Sequence, residues 1–107
     1  MPTTFDKREE EFEKRFAHDE ELRFKAIARR NKMLGLWAAE KLGLSGADAE
    51  AYAREMVMAA YAEGDHDVFK KIRRDFDAKS VVQSDHQIRR TMDELLEQAI
   101  QQIKLTG

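Results

Sequence analysis

The sequence predicts an all-α protein, a four-helix bundle preceded by a mobile or extended N-terminal amphipathic helix. Helix breakers are rare, because the 107 residues include one Pro and five Gly. Apolar side chains recur at spacings of three and four residues, which is the period of an amphipathic helix. No stretch shows the strict alternation of a half-buried strand.

The first thirty residues predict a highly charged helix with a thin apolar stripe. Twelve of the sixteen residues from 6 to 21 are charged. Phe5, Phe12 and Phe16 stand at i, i+7 and i+11, which places them on one helical face. A stripe this thin is too small to hold a helix on a domain by burial alone. It is suited to a groove on a partner protein.

The apolar pattern changes phase at a polar step over residues 18–20. We therefore divide the chain into an N-terminal segment, residues 1–19, and a bundle, residues 20–107. The first bundle helix is expected to run from about Leu22 to Leu42, with Gly43 in the left-handed conformation that ends many helices. Its predicted apolar stripe comprises Phe24, Ile27, Ala28, Leu34, Trp37, Ala38 and Leu42.

Capping motifs and apolar stripes predict three further helices. A capping box over residues 45–48 begins the next helix, which Gly64 ends. Asp65 or Asp67 caps the following one, and a second capping box over residues 84–87 begins the last. The predicted inward residues are Ala49, Tyr52, Ala53, Met56, Val57, Ala60 and Tyr61; then Val68, Phe69, Ile72 and Phe76; then Ile88, Met92, Leu95, Leu96, Ala99 and Ile103. Gap-filling in the core is expected of Met33, Met56, Met58 and Met92.

The composition of the chain argues against several classes of function and of binding site. The net charge is −2 and the pI about 5.9, which does not favour a phosphate-binding footprint over the whole surface. The balance is uneven, because residues 1–21 are acidic whereas residues 22–30 hold four basic residues and no acid. Without Cys there is no disulfide framework and no zinc–thiolate site. We expect a soluble cytoplasmic protein without direct membrane insertion, since no apolar run is long enough to span a bilayer.

The start of the last helix is a candidate anion site. His86 lies in the first turn with Arg89 and Arg90 one turn on, where free N–H groups and the helix dipole favour negative charge. Asp85 opposes this interpretation. The alternative is a plain capped N-terminus whose arginines pair with neighbouring acids.

Other chemistry-bearing patterns are weaker. The basic clusters at residues 29–32 and 70–74 are either solvated helix faces or phosphate contacts. Trp37 is either packed in the core or stacked on a purine. His66, between two aspartates, is a weak metal candidate, and we expect no metal. No nucleophile motif or Gly-rich phosphate loop is present, so we do not expect an enzyme.

Three stretches together resemble the family of zeta subunits of the alphaproteobacterial F-type ATP synthase. They are residues 29–43 (RRNKMLGLWAAEKLG), residues 67–69 (DVF) and residues 84–95 (SDHQIRRTMDEL), joined by Thr4-Phe5-Asp6 and the stripe of Phe12 and Phe16. The resemblance covers essentially the whole chain. It implies a four-helix bundle that inhibits ATP hydrolysis by the catalytic head, with the N-terminal segment as the inhibitory part.

The resemblance also implies partners and site residues. The partners are the subunits of the catalytic head of the membrane-bound synthase, whose catalytic interface the N-terminal helix would enter. The residues expected to contact them are Phe5, Lys7, Arg8, Phe12, Lys14, Arg15 and Phe16. No cofactor is required, but the family is associated with ADP and ATP as ligands of the bundle. The candidate nucleotide contacts are Asn31, Lys32, Trp37, His86, Arg89 and Arg90.

Two other classes of function stand beside this one. An Arg-Arg pair early in the last helix is compatible with a helical nucleic-acid-binding regulator, although that helix soon becomes acidic. We nevertheless expect no nucleic-acid partner. The remaining alternative is a generic protein-interaction module.

Overall fold

The structure, a computed structural model, consists of five α-helices within the residues that it describes. These are residues 4–63 and 65–106 for the backbone, and residues 10–60 and 67–105 for the side chains. The helices are α1 (Thr4–His18), α2 (Glu20–Lys41), α3 (Gly46–Glu63), α4 (Asp65–Ala78) and α5 (Asp85–Thr106). The predicted all-α class is confirmed.

The first two helices meet at Asp19, within the polar step that the sequence predicted. Asp19 has an extended backbone, with φ −105° and ψ 103°. Its carboxylate accepts hydrogen bonds from the backbone N–H groups of Glu21 at 3.0 Å and Leu22 at 3.2 Å. A side chain that satisfies two N–H groups in this way is an N-cap, so α2 begins here as a separate helix. The functional division at residue 19 stays a prediction.

Two of the other predicted helix boundaries are confirmed. Gly43 follows Leu42, the C-cap of α2, and has φ +79°, as expected of a left-handed residue past a helix end. At α5 the capping box forms in both directions: the N–H of Gln87 donates to Ser84 Oγ at 3.1 Å, and the N–H of Ser84 donates to Gln87 Oε1 at 2.8 Å. At α3 it is the backbone carbonyl of Ser45 that accepts hydrogen bonds from the first turn. Gly64 lies outside the described residues.

The main apolar cluster joins α2, α3, α4 and α5. Its buried members are Leu34, Ala38, Ala39, Tyr52, Met56, Val68, Phe69, Ile72, Phe76, Ile88 and Met92. All four predicted inward residues of α4 are buried, and on α5 Ile88, Met92, Ala99 and Ile103 are buried as well. Trp37 packs at the edge of this cluster, with its ring centroid 5.6 Å from that of Phe76.

The predicted apolar stripe is wrong in the first half of α2. Phe24 is 52% exposed and Ile27 is 40% exposed, whereas Leu22 and Ala26 are buried. The buried positions there follow a spacing of four residues from Leu22, because this part of the helix packs against α1 and α5 rather than α3 and α4. Met58 is also not a gap-filler, since it is 68% exposed.

A second, smaller group of apolar side chains, here called the N-terminal cluster, holds α1. Its members are Leu22, Ala26 and Ile103, which are buried, and Phe12, Phe16, Leu96 and Ile100, which pack against them. The expected leading helix is present as α1, but it is packed on the bundle rather than extended from it, and its predicted mobility stays a prediction. Among the five helices of the described residues, α1 packs on α2 and α5, because Phe12 and Phe16 stand one turn apart and reach both.

We expect Gly35→Ala to lower the free energy of unfolding by about 2 kcal/mol, the usual cost of overpacking. An added Cβ would lie 2.6 Å from the Cα of Ala53 and 3.1 Å from the Cβ of Met56. At an open helical position the same change would be stabilising by about 1 kcal/mol. Urea denaturation followed by circular dichroism gives the sign, and a higher midpoint for the variant would contradict the close contact of α2 with α3.

Candidate functional site

Helix α1 presents two different faces. On one face the rings of Phe12 and Phe16 are stacked with centroids 6.1 Å apart, and both are half-buried in the N-terminal cluster. Lys104 Nζ from α5 lies 5.6 Å from the centroid of the Phe12 ring, within cation–π range. Among the described side chains of the helix, the exposed ones are Glu10, Glu11, Glu13, Lys14, Arg15, Ala17 and His18.

The seven residues predicted to contact a partner thus fall into three groups. Phe12 and Phe16 face α2 and α5, while Lys14 and Arg15 lie exposed on α1. The side chains of the other three, Phe5, Lys7 and Arg8, lie outside the described residues. The four described side chains form one short helical unit in which the apolar pair is covered and the basic pair is accessible.

The candidate nucleotide contacts on α2 differ in accessibility. Asn31 is buried, and its Oδ1 accepts a hydrogen bond from Arg30 Nε at 2.8 Å. Arg30 is itself 2% exposed, so residues 29–32 do not form one continuous solvated basic face. Trp37 is half-buried against Phe76, and Lys32 is exposed.

The candidate contacts on α5 are all exposed. His86 lies in the first turn, and the guanidinium carbon of Arg89 lies 4.1 Å from the centroid of the Phe69 ring. Arg90 Nε donates to Glu94 Oε1 at 2.9 Å. Four of the six nucleotide candidates thus contact four different neighbours: Asn31 contacts Arg30, Trp37 contacts Phe76, Arg89 contacts Phe69, and Arg90 contacts Glu94.

Arg73 ties α4 to the start of α5, a role that the sequence analysis missed. Its Nη1 donates to the carbonyl oxygen of Gln83 at 2.6 Å and to Asp85 Oδ1 at 3.0 Å. Its Nη2 donates to Asp77 Oδ1 at 2.8 Å. The hydrogen bond to Asp85, followed by that to Asp77, raises the pKa of Arg73 above its ordinary value. The pairing places a positive charge beside Asp85, which is the acid that opposed an anion site at this helix start.

A second polar group joins α3 to α4 beside a cavity of about 300 Å³. The Tyr52 hydroxyl donates to Asp75 Oδ2 at 2.8 Å, and Lys71 Nζ lies 3.2 Å from the same oxygen. Burial, followed by the hydrogen bond to Asp75, raises the pKa of Tyr52. The sequence placed Tyr52 on an apolar face. The relevant signal was Asp75 on the next helix. Periodicity alone does not show that this acid pairs with Tyr52.

Neither a metal site nor a membrane span emerges from the part of the chain that the structure describes. Its His, Asp and Glu side chains form no group of three that could hold a metal ion. None of its helices is both long and apolar enough to cross a membrane.

Comparisons with known proteins give a family. Residues 2–102 match the family described as ATPase inhibitor subunit zeta. A structure solved by NMR in solution is similar to this one, with a TM-score of 0.67 and 43% sequence identity. The match covers 77% of this chain and 94% of that one. No curated protein matches the sequence.

We expect stability to fall steeply with alkaline pH because of Tyr52. Its pKa is raised in the folded state, so the contribution of the protonated phenol is complete below the ordinary tyrosine pKa of about 10. That contribution is lost as the pH rises further, because the unfolded chain releases the proton first. Urea denaturation from pH 9 to 12, with tyrosinate absorbance recorded in parallel, measures the effect.

The control for this pH dependence is Tyr52→Phe, which keeps the ring but removes the hydroxyl. At pH 7 it should cost about 1 kcal/mol, the usual value of one hydrogen bond. Above pH 10 its stability should fall less steeply than that of the wild type. Equal slopes for the two proteins would show that Tyr52 does not carry the effect.

Proposed function

The chain belongs to the ATPase inhibitor subunit zeta family, and on that premise we propose that it inhibits ATP hydrolysis by the catalytic head of an F-type ATP synthase. In this proposal α1 enters the interface between two subunits of the head and prevents the closure that each catalytic cycle requires. The protein acts from the cytoplasm on the membrane-bound synthase. It is a regulator and performs no catalysis of its own.

One observation supports α1 as the inhibitory element: the described part of α1 is attached to the bundle through the N-terminal cluster and not through the main apolar cluster. Among the described side chains, the main apolar cluster is built from α2 to α5, and α1 contributes only to the N-terminal cluster. The N-cap at Asp19 begins α2 independently of α1. Helix α1 can therefore leave its position without exposing the main cluster.

The apolar burial that α1 loses when it leaves the bundle can be regained in the complex. Phe12 and Phe16 would exchange one apolar environment for another, so the loss of their burial in the free chain is offset in the complex. The charged face of α1 needs no release, because it is exposed already. Complementary charges on the partner would then set orientation and association rate. The 15 residues of α1 extend about 22 Å as a helix, long enough to obstruct a subunit interface.

We expect a chain lacking residues 1–18 to lose inhibition while the remaining helices stay folded. This truncation retains Asp19, so the N-cap of α2 is preserved. ATP hydrolysis by an alphaproteobacterial ATP synthase head, titrated with the full and the shortened chain, measures the effect. Circular dichroism and urea denaturation check that the shortened chain folds.

Point variants of the full chain sharpen this test. Phe12→Ala combined with Phe16→Ala should raise the half-inhibitory concentration at least tenfold, because such aromatic anchors dominate helix recognition. The matched control is Glu13→Ala, an exposed position on the same helix, with an expected change under threefold. Inhibition that survives the truncation would refute the assignment of α1.

We also propose that the start of α5 binds an adenine nucleotide through His86 and Arg89. The support is that Arg73 pairs with Asp85, so the acid no longer opposes an anion there. Both candidate side chains are exposed, and the Arg89 guanidinium is held over the Phe69 ring. A phosphate group bound there would place negative charge beside the Arg89 guanidinium.

For this site, we expect ATP to shift the amide NMR signals of residues 86–90 and Arg89→Ala to weaken binding at least tenfold. Arg54→Ala, on the exposed face of α3, is the matched control and should leave the affinity unchanged. Shifts centred on Lys32 and Trp37 instead would move the site to α2. An absence of shifts at both places would refute nucleotide binding by these residues.

A further inference from the structure

A groove lies where α1, α2 and α5 meet, and all the charged residues that line it are basic. Its volume is about 460 Å³. The residues that line it, here called the basic groove, are Arg15, Leu22, Phe24, Lys25, Ala28, Arg29 and Ile103. The floor is apolar, and the charged lining residues are three cations without an acid.

Two cations of the basic groove, Lys25 and Arg29, make only weak contacts among the described side chains. Lys25 Nζ lies 3.4 Å from Glu21 Oε1, in an ion pair whose side chains are 59% and 76% exposed. Pairs as exposed as this contribute little, because water and salt screen them. Arg29 Nη1 donates to Gln102 Oε1 at 3.5 Å, a long hydrogen bond to a side chain without a formal charge. The positive charge is therefore available to an acidic partner.

The apolar residues beside these cations are unusually exposed. Phe24 is 52% exposed, and Ile27, three residues later on α2, is 40% exposed. Large apolar side chains next to one another on a helix surface mark binding sites more often than isolated ones do. Their spacing of i and i+3 matches the anchor spacing by which helices pack against each other.

We propose that the basic groove, extended by Ile27, is a second docking surface for the catalytic head and takes an acidic amphipathic helix. The inference rests on the proposed function. The occupant would carry apolar residues at i and i+4 for the floor, flanked by Asp or Glu for Arg15, Lys25 and Arg29. Apolar contact would supply affinity, and the charges would supply orientation and specificity.

Two other occupants fit the surface less well. An anionic membrane is a broad surface that would meet the exposed Glu10, Glu11 and Glu13 of α1 as well as the groove, and like charges repel, whereas a single helix contacts the groove alone. A free nucleotide would satisfy the cations, but its ribose and phosphates are polar, and a single base offers little apolar surface for Phe24 and Ile27 together. A helical segment satisfies both the charge and the length of the surface.

The basic groove lies next to the helix that we propose as the inhibitory element. Arg15 belongs to α1 and also lines the groove, so a partner seated there is adjacent to the helix that we propose as the inhibitory element. Two linked contacts raise the effective concentration of each other. When α1 is inserted, the groove residues on α2 and α5 would still hold the protein on the head, and Arg15 would add to this contact only while α1 is packed.

The first experiment uses a synthetic probe and the full chain. The probe is a twelve-residue helical peptide with Leu at i and i+4 and Glu between them, and its matched control has Lys in place of each Glu. We expect only the acidic peptide to shift the amide signals of Phe24, Ala28, Arg29 and Ile103. Equal shifts from both peptides, or stronger competition by ATP at these residues, would overturn the proposal.

The second experiment uses charge reversal in the full chain. Lys25→Glu with Arg29→Glu should raise the dissociation constant of the acidic peptide at least tenfold, and raise the half-inhibitory concentration in ATP hydrolysis by a similar factor. The control, Arg54→Glu with Lys70→Glu, makes the same charge change at exposed positions of α3 and α4 and should change both less than threefold. Circular dichroism verifies that both variants fold.

The outcomes separate this inference from the proposed function. If the wild type and the groove variant inhibit hydrolysis equally, the docking surface is refuted while the inhibitory role of α1 stands. If the wild type does not inhibit at all, the proposed function falls, and docking to the head falls with it. The peptide titration then decides by itself whether the groove recognises acidic helices.

Discussion

The close packing of α2 against α3 is the constraint on which the rest of the structure depends. Gly35 stands where any side chain would collide with the backbone of Ala53, and Ala38 and Ala39 continue the same small surface with no exposure to solvent. Small residues let the two helix axes approach, which brings Met56 and Leu34 into one cluster with α4 and α5. Helix α2 is also the helix to which α1 is joined, so this packing fixes the support on which the N-terminal cluster is built.

The two apolar clusters contribute unequally to the free energy of folding. The main cluster buries eleven residues from four helices, whereas the N-terminal cluster buries three and covers Phe12 and Phe16 only in part. Full burial of one such ring contributes about 1.5–3 kcal/mol, so two half-buried rings contribute on the order of 2–3 kcal/mol in all. An attachment of this size holds α1 in place but is small against the stability of an average domain.

The sequence predicted those features that depend on local chemistry. The Ser84–Gln87 capping box, the left-handed Gly43 and the inward face of α4 all follow from residues within a few positions of one another. It failed where a helix changes neighbours along its length, as α2 does between Phe24 and Leu34. Periodicity shows how far apart the buried residues of a helix are. It does not show which side of the helix is buried once the helix meets a different neighbour. The pairing of Tyr52 with Asp75 and of Arg73 with Asp85 spans separate helices and could not be predicted in the same way.

The same cluster that holds α1 also limits the strength of the proposed inhibitor. If α1 must leave the N-terminal cluster before it enters the catalytic head, only the released fraction of molecules is competent, and the apparent affinity falls by that fraction. Each 1.4 kcal/mol of attachment then weakens inhibition about tenfold. Contacts that strengthen the cluster, such as Lys104 on the Phe12 ring, act against inhibition, whereas a partner helix in the basic groove meets Leu22 and Ile103 of that same cluster. The attachment of α1 and the docking of the head are therefore coupled through shared residues.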